Sequence, residues 1–263
     1  MLENIIGNPA AQADFSEMQI FDDNCAVCAE TSIINQFHPD LRLNQATAAF
    51  ISAQNGWYVP GHGTSPDVIG NLMDAFDIPN HTVTNASVQE LALELQQGHG
   101  VIVGINSSQL WDSGPLAELQ HFLCKAFGLD NSIWQPADHA ITVTGIDMSD
   151  PHNPHVIIND SGVPDGAGVS YPLDKFLDAW ENSDFQYTAT DAPIPSLAAA
   201  GVESPGFWDS FSWADWISAG VGVGTAFAIG INTGDIGLAL EGGGLATATT
   251  AELFDSDAFA RMI

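Results

Sequence analysis

Apolar residues repeat with helical spacing through the first part of the chain. In residues 26–37 they fall on one face of a helix, and the polar run Asp22-Asp23-Asn24 ahead of them is typical of a helix start. We predict that this helix begins at Cys25 and ends before His38, because Pro39 disfavours a helical residue in front of it. The same pattern predicts three more helices, Leu43–Gln54, Thr64–Phe76 and Ser87–Gln97, a weakly helical polar lead-in over 1–18, and a loop over 55–63.

Later in the chain the pattern changes to short runs rich in β-branched residues. Such runs indicate strands, and the turn residues between two of them indicate a hairpin. Helices that come first and strands that come later predict an α+β domain. The predicted strands are Val101–Ile105, His139–Ile146, Val156–Asp160 and Gln186–Ala189; helices are predicted around Leu116–Phe127 and from Tyr171 or Pro172 to Trp180.

Composition changes near Asp191. From Ala192 onward the chain is rich in Ala, Gly and Ser, and residues 217–234 form a run of 18 uncharged residues. That is the minimum length of a membrane span, but its glycines weaken both the hydrophobicity and the helix. We therefore predict a domain over 1–190 and a Gly/Ala-rich extension over 191–263, which could pack on the domain, form homo-oligomers or contact a membrane.

Charge and cysteine content narrow the class of protein. The chain has 33 acidic and 4 basic residues, and its net charge of −29 argues against nucleic acid as a partner. Three cysteines are too few for a disulfide framework, and residues 1–7 lack the basic start and apolar run of a signal peptide. These features favour a cytoplasmic protein, or one exported without an N-terminal signal, and no cofactor is indicated.

The two strands on either side of the turn Asp147–Pro154 bring two polar residues together. Strands joined by one turn pair antiparallel, so His139 at the start of the first lies beside Asp160 at the end of the second. A carboxylate next to an imidazole fixes its tautomer and stabilises its protonated form. From the hairpin alone, an accidental pair of polar residues at strand ends remains equally open.

Cys25 supplies a third reactive group. A thiol at a helix N-terminus feels the positive end of the helix dipole, which favours the thiolate, and a neighbouring protonated His strengthens the effect. Thiolate–imidazolium pairs are efficient acyl acceptors. Asp22 and Asp23 would act the other way and raise the pKa of the thiol. A buried, unreactive helical cysteine is therefore the simpler alternative until more context is added.

The order and spacing of five segments resemble papain-like cysteine peptidases of the bacteriocin-processing type. In that family a Gln precedes the nucleophilic Cys, a His leads a strand, and an Asp ends the next strand. The resemblance extends over residues 17–190. Its segments are Gln19–Cys25, Gly63–Asp67, Asp138–Asp147, Val156–Gly162 and Tyr171–Trp180.

The resemblance implies a fold and a role for four residues. A helical half with the catalytic Cys at a helix N-terminus would pack on an antiparallel sheet. Cys25 would attack the carbonyl of a peptide or protein substrate, His139 would act as its base, and Asp160 would orient the base. The Gln19 side-chain amide and the Cys25 N–H would form the oxyanion hole. The resemblance implies neither a metal nor a cofactor.

The chain departs from the family pattern at two positions and in its organisation. Ala26 stands where a Gly commonly follows the Cys, and Ser161 stands where a Pro usually follows the Asp, which would leave that loop less rigid. Known members are fused to transporters, and nothing in this sequence resembles an ATPase. A free-standing relative is therefore implied, and a leader-peptide substrate does not transfer.

Other interpretations remain open. Cys25-Ala-Val-Cys28 has the spacing of a dithiol redox motif, although such a motif needs a strand directly before it. This pair could also bind zinc with His152 and His155, or with His121 and Cys124. The turn residues Asp147, Ser149, Asp150 and Asn153 could bind calcium.

Two further interpretations concern the whole domain and one of its loops. The domain could have lost catalysis and serve as a scaffold that assembles or binds a partner through its extension. Trp57 and Tyr58 lie in a glycine-rich loop that could line a substrate cleft, but they could equally cap the helical half of the core.

Overall fold

The computed structural model describes residues 4–111 and 137–199. Short 3-10 turns at Pro66–Val68 and Glu181–Ser183 accompany the regular elements. The helices are α1 (Pro9–Ala13), α2 (Cys25–Phe37), α3 (Gln45–Gln54), α4 (Asn71–Asp74), α5 (Val88–Gln96), α6 (Ser107–Trp111), α7 (Leu173–Trp180) and α8 (Pro195–Ala199). The strands are β1 (Ile5–Gly7), β2 (Tyr58–Val59), β3 (Gly63–Thr64), β4 (Asn80–Val83), β5 (Val101–Ile105), β6 (His139–Asp147), β7 (His155–Asn159), β8 (Val169–Pro172) and β9 (Tyr187–Thr190).

A seven-stranded antiparallel sheet organises the domain. Six of its strands follow the spatial order β4-β9-β5-β6-β7-β8, and β1 joins as the seventh by pairing with β6. β5 pairs with residues 139–143 of β6, and β1 pairs with residues 145–147 on the same edge. The helices come mainly from the first half of the chain and the strands from the second, so the predicted α+β class is confirmed.

β6 is the central strand of this sheet and carries His139 at its first residue. Every residue from His139 to Ile146 is buried, because neighbouring strands flank β6 and α2 packs on it. The pairing with β7 shifts between Val143 and Gly145, a β-bulge. A side chain at Gly145 would lie 2.8 Å from the Ile6 carbonyl oxygen, so only glycine allows β1 to approach this closely.

Helix α2, which begins at Cys25, is fixed to the rest of the helical half by a buried carboxylate. Glu30 is 2% exposed and accepts hydrogen bonds from the backbone N–H groups of Gly70 (2.8 Å) and Leu72 (3.1 Å) at the start of α4. Burial, partly offset by these hydrogen bonds, raises the pKa of Glu30 to about 7. Glu30 therefore caps α4 from a neighbouring helix and ties α4 to α2.

The sequence-based boundaries hold for most predicted elements and fail for three segments. The predicted helix over 64–76 is interrupted, because Ile69 is extended and Gly70 has φ of 108°. The lead-in over 1–18 contains strand β1 as well as helix α1, and the loop over 55–63 contains the pair β2 and β3. Strands as short as these give too few residues for periodicity to be read.

The start of the predicted extension contacts the domain. The Ile194 N–H donates to the Gly98 carbonyl oxygen at 2.9 Å, and Ile194 and Leu197 are buried. The boundary at residue 190 stays a prediction. Residues 200–263, with the uncharged run 217–234, lie outside the described residues, as does the predicted helix Leu116–Phe127.

Membrane insertion was one prediction for the extension. Among the helices within residues 4–111 and 137–199, none combines the length and apolar character needed to cross a membrane.

Candidate active site

Cys25 is the first residue of α2, and its thiol meets the start of β6. The Asn24 side chain ahead of it is buried and accepts a hydrogen bond from the Phe21 N–H at 3.2 Å, which shapes the turn into the helix. The Ala140 N–H donates to Cys25 Sγ at 3.4 Å. The position at a helix N-terminus and the backbone hydrogen bond both favour the thiolate, although the thiol is partly buried.

His139 and Asp160 form a buried pair beside this thiol. Nε2 of His139 lies 2.7 Å from Oδ1 of Asp160, and the side chains are 5% and 0% exposed. The Cys25 thiol lies beside the imidazole, close enough for each group to shift the pKa of the other. Since Nε2 is engaged by the carboxylate, we infer that Nδ1 faces the thiol. The structure thus brings together three of the four predicted catalytic residues in the predicted order.

Two residues that the sequence did not indicate complete the surroundings of Asp160. Trp111 Nε1 donates to Oδ2 at 2.9 Å, and the Gly162 N–H donates to Oδ1 at 2.8 Å. The Trp111 indole also packs edge-on against the His139 ring, with centroids 5.1 Å apart. The carboxylate is therefore held by three donors, and the indole covers part of the imidazole. Trp111 comes from α6, far from both strands in sequence, so no local pattern indicated it.

The protonation states follow from these contacts. Burial opposes ionisation of Cys25, but the hydrogen bond and charge of His139 outweigh it and place the pKa of the thiol below its ordinary value. Burial disfavours the imidazolium as well, yet Asp160 and Cys25 raise the pKa of His139 to about 9. The pKa of Asp160 is lowered, because His139, Trp111 and Gly162 offset its burial. Both shifts, the lowered pKa of Cys25 and the raised pKa of His139, are in the direction that favours a thiolate–imidazolium pair.

Gln19 is anchored to the residue that follows Asp160. Its backbone N–H donates to the Ser161 carbonyl oxygen at 2.8 Å, and the Ser161 hydroxyl donates to Gln19 Oε1 at 3.2 Å. Among residues 4–111 and 137–199, Nε2 of Gln19 has no hydrogen-bond partner, so this donor remains available. The Ser161 hydroxyl makes a contact that proline could not make, and the lower rigidity expected of this loop stays a prediction.

Asp23, one of the two acidic residues ahead of Cys25, has structural contacts of its own. The Asp23 carboxylate accepts hydrogen bonds from the Tyr58 hydroxyl at 2.6 Å and from the Gly61 N–H. The Tyr58 hydrogen bond is the main cause that lowers the pKa of Asp23, although burial opposes it. Asp23 therefore holds the connection between β2 and β3 against the start of α2, and the pKa of Cys25 is lowered despite the nearby acids.

Tyr58 and Trp57 were predicted to line a substrate cleft. Tyr58 is 5% exposed and belongs to the core of the helical half, with its hydroxyl on Asp23. That position favours the alternative of a core residue, and a substrate contact at Tyr58 stays a prediction. Trp57 is partly buried and packs against the same core, and a substrate contact there stays a prediction.

Cys28 lies one turn after Cys25 and is buried. Its thiol donates to Gln45 Oε1 at 3.1 Å, and burial together with the charge of Cys25 raises its pKa to about 12. A redox partner has to form a thiolate readily, and a dithiol motif of that class follows a strand. Residues 15–24 ahead of Cys25 contain no strand, so the structure does not favour the redox interpretation.

The metal-binding alternatives find no support among the described residues. In the turn after β6, Asp147 and Asp150 accept hydrogen bonds from the backbone N–H groups of Ser149 and His152, which is ordinary turn geometry. Within residues 4–111 and 137–199, no group of three His, Cys, Asp or Glu side chains is arranged to hold a metal ion. His121 and Cys124 lie outside the described residues.

We expect Gly162→Ala to reduce hydrolysis about 10- to 100-fold, because small displacements of reacting groups are costly. A Cβ at this position would lie 2.9 Å from both His139 Cε1 and Trp111 Cζ2, so the imidazole or the indole must move. The measurement is kcat/KM with the melting temperature alongside. Gly104→Ala is the matched control, since its nearest neighbour is a serine side chain at 3.3 Å. Equal activity in the two variants would show that the packing at Gly162 is unimportant.

The α+β fold, with a helical half and an antiparallel sheet, fits the papain-like class. Residues 9–188 match the model of the Peptidase C39 like family, and the chain belongs to that family. Uncharacterized proteins from Mycobacterium bovis and Mycobacterium tuberculosis are 30% identical over 209 residues, which cover 70% of this chain and 84% of each relative. A crystal structure from Bacillus anthracis, described as a candidate C39-like peptidase, superposes with a TM-score of 0.46 at 13% identity and covers 69% of this chain and 96% of its own.

Proposed function

We propose that this chain is a cysteine peptidase that hydrolyses a peptide or amide bond with Cys25 as its nucleophile. The observation that carries the proposal is the buried His139 ring, which Asp160 holds through Nε2 at 2.7 Å, beside the Cys25 thiol that accepts the Ala140 N–H at 3.4 Å. A structural cysteine needs neither an ionised partner nor a lowered pKa. Membership of the Peptidase C39 like family supports the same activity.

In the proposed reaction, the Cys25 thiolate attacks the carbonyl carbon and forms a C–S bond while the carbonyl electrons move to oxygen. The Gln19 amide and the Cys25 N–H, which has no partner inside α2, stabilise this oxyanion. As the C–N bond breaks, His139 gives its proton to the leaving amine. Water then attacks the thioester and gives a proton to His139, the C–S bond breaks, and the thiolate–imidazolium pair is restored.

Asp160 takes no proton in this sequence. Its charge and its hydrogen bond keep the imidazole in one orientation and stabilise the imidazolium. The substrate of the proposed reaction is a peptide or protein, and the bacteriocin-processing type suggested by the sequence stays a prediction.

An active-site-directed electrophile tests the proposal. Iodoacetamide at neutral pH is expected to label Cys25 faster than an unstructured thiol, with mass spectrometry locating the adduct, because the pKa of Cys25 is lowered. Cys28 serves as the internal control and is expected to stay unlabelled in the folded chain, because it is buried and its pKa is raised to about 12. Labelling of Cys25 at the rate of an unstructured thiol would refute the proposed nucleophile.

The pH dependence of kcat/KM is expected to be bell-shaped. The pKa of Cys25 is lowered, so the thiolate persists until the pH falls through that value on the acid side. The pKa of His139 is raised from its ordinary 6.5 to about 9, so the imidazolium persists at neutral pH and is lost as the pH rises through about 9. A kcat/KM that already falls as the pH rises from 6 to 7 would mean that His139 is not the acid of the reaction.

A further inference from the structure

The side chain of Gln45, at the first residue of α3, uses its full hydrogen-bonding capacity near the site. It is 5% exposed. Its Nε2 donates to the Met18 carbonyl oxygen at 2.9 Å and to Glu17 Oε2 at 3.1 Å. Its Oε1 accepts from the Ile20 N–H and from Cys28 Sγ, both at 3.1 Å. A glutamine amide has two donor hydrogens and two acceptor sites, and all four are occupied here.

The two backbone partners fix the orientation of this amide. Only the NH₂ group can donate to the carbonyl of Met18, and only the oxygen can accept from the N–H of Ile20. The amide therefore has one orientation that satisfies both partners. A flipped amide would place donor against donor and acceptor against acceptor in a buried position, which is costly.

These two backbone contacts lie on either side of Gln19. Gln45 holds the residue before it and the residue after it, while Ser161 holds its own N–H and its Oε1. The segment 17–21 contains no helix or strand of its own, so these contacts supply the order that regular structure would otherwise give. The Gln19 side chain is thereby fixed from both sides, and within residues 4–111 and 137–199 no hydrogen bond uses its Nε2.

We propose that Gln45 is a positioning residue for the oxyanion hole: it fixes the backbone of residues 18–20 so that the Gln19 amide is held ready for the developing negative charge. This inference rests on the proposed function, in which Gln19 is the donor. An oxyanion donor acts only if it is aimed before the charge appears, and so its support has to be rigid. The Cys28 hydrogen bond to the same amide couples this support to helix α2, which carries Cys25.

Two reagents that react with Cys25 distinguish an effect on the orientation of the Gln19 donor from an effect on the reactivity of the thiol itself. 4-Nitrophenyl acetate acylates the thiolate through a tetrahedral oxyanion and releases 4-nitrophenolate. Iodoacetamide alkylates the same thiolate with loss of iodide and forms no oxyanion. A residue that acts through Gln19 affects the first reaction only, whereas a residue that merely stabilises the fold around α2 affects both.

Gln45→Met keeps the volume of the side chain and removes all four hydrogen bonds. We expect it to slow acylation by about ten-fold, as partial loss of a donor would, and to leave alkylation within about two-fold of the wild-type rate. Gln45→Asn is the second variant, since it keeps an amide in the core but shortens its reach to the Met18 and Ile20 backbone. Gln36→Met is the matched control, because Gln36 is a buried glutamine of α2 whose amide contacts Ser32 rather than segment 17–21.

A double-mutant comparison decides the inference. If Gln45 acts through Gln19, then Gln45→Met causes little further slowing of acylation in a Gln19→Ala background, because the donor that Gln45 positions is already absent. Three outcomes would each overturn the inference. Gln45→Met could slow acylation in the Gln19→Ala background as much as it does alone, or it could slow acylation and alkylation equally. Acylation could also be unchanged in both Gln45 variants. If Gln19→Ala slows acylation and Gln45→Met does not, the inference about Gln45 is wrong while the proposed oxyanion hole stands. If Gln19→Ala has no effect, the proposed oxyanion hole fails with it.

Discussion

Replacing Cys25 by serine is expected to lower hydrolysis by at least about 10³-fold, because an activated nucleophile and its base act as one unit. A serine hydroxyl has a far higher pKa than a thiol, so His139 cannot hold it ionised in the ground state. The site is buried and the substitution is nearly isosteric, so the fold is expected to persist. Single-turnover hydrolysis and the melting temperature, measured on the same preparation, test both statements.

Cys28→Ser is the matched control for this experiment. A serine at this position can still donate to Gln45 Oε1, so activity is expected to stay close to that of the unmodified chain. If both substitutions abolished activity, the dithiol redox interpretation would return and the proposed peptidase mechanism would be wrong. A Cys25→Ser variant that kept a tenth of the activity would also exclude Cys25 as the nucleophile.

Asp160→Ala is expected to cost both activity and stability. The substitution leaves His139 Nε2, Trp111 Nε1 and the Gly162 N–H without their shared acceptor. Each unsatisfied buried donor costs about 1–3 kcal/mol of unfolding free energy, less where water enters. Loss of the orienting carboxylate is expected to lower kcat by about 10³-fold. Denaturant unfolding and kcat measure the two effects separately.

Asp160→Asn distinguishes orientation from charge. The amide oxygen can still accept from His139 Nε2, but the NH₂ group would then face Trp111 Nε1, a second donor. We expect a smaller loss than in Asp160→Ala and a basic limb of the pH profile that moves below pH 9, because the charge that raises the pKa of His139 is gone. An unchanged basic limb would show that Asp160 does not control this pKa.

Local patterns were sufficient to predict the elements that carry the three reactive groups. The polar cap and apolar face after it place Cys25 at the first residue of α2, as the structure has it. The turn at 147–154 predicts an antiparallel pair, and the pairing of β6 with β7 brings His139 next to Asp160. Both predictions depend on residues close together in sequence, where periodicity and turn chemistry are informative.

The surroundings of these groups could not be predicted, because they depend on polar contacts between distant segments. Trp111 reaches Asp160 from another helix, and Glu30 caps α4 across the helical half. Periodicity records which face is apolar but not which buried polar atoms will meet. The helix break at Gly70 could not be predicted for a related reason. The positive φ of Gly70 is supported by the hydrogen bond from its N–H to Glu30, which the local sequence does not reveal.

Gln19, the proposed oxyanion-hole residue, lies between these two cases, because the sequence indicated the residue but not what holds it in place. The spacing of Gln19 from Cys25 suggested its role through a family resemblance, and that role remains a prediction. Its support by Ser161 and Gln45 joins residues 142 and 25 positions apart in the chain. Only the folded structure shows these two anchors, and they explain how a segment without regular structure holds a side chain in place.

The distance along the chain between the members of the site affects when Cys25 becomes reactive. The Cys25 contact with β6 spans 115 residues, and the Gln19 contact with Ser161 spans 142. Contacts of such separation carry a high closure entropy and form late in folding. On the ribosome, and in any unfolded chain, the thiol keeps its ordinary pKa and lacks its base. The proposed reactivity of Cys25 is therefore expected only after the fold is complete, and a nascent chain does not yet carry it.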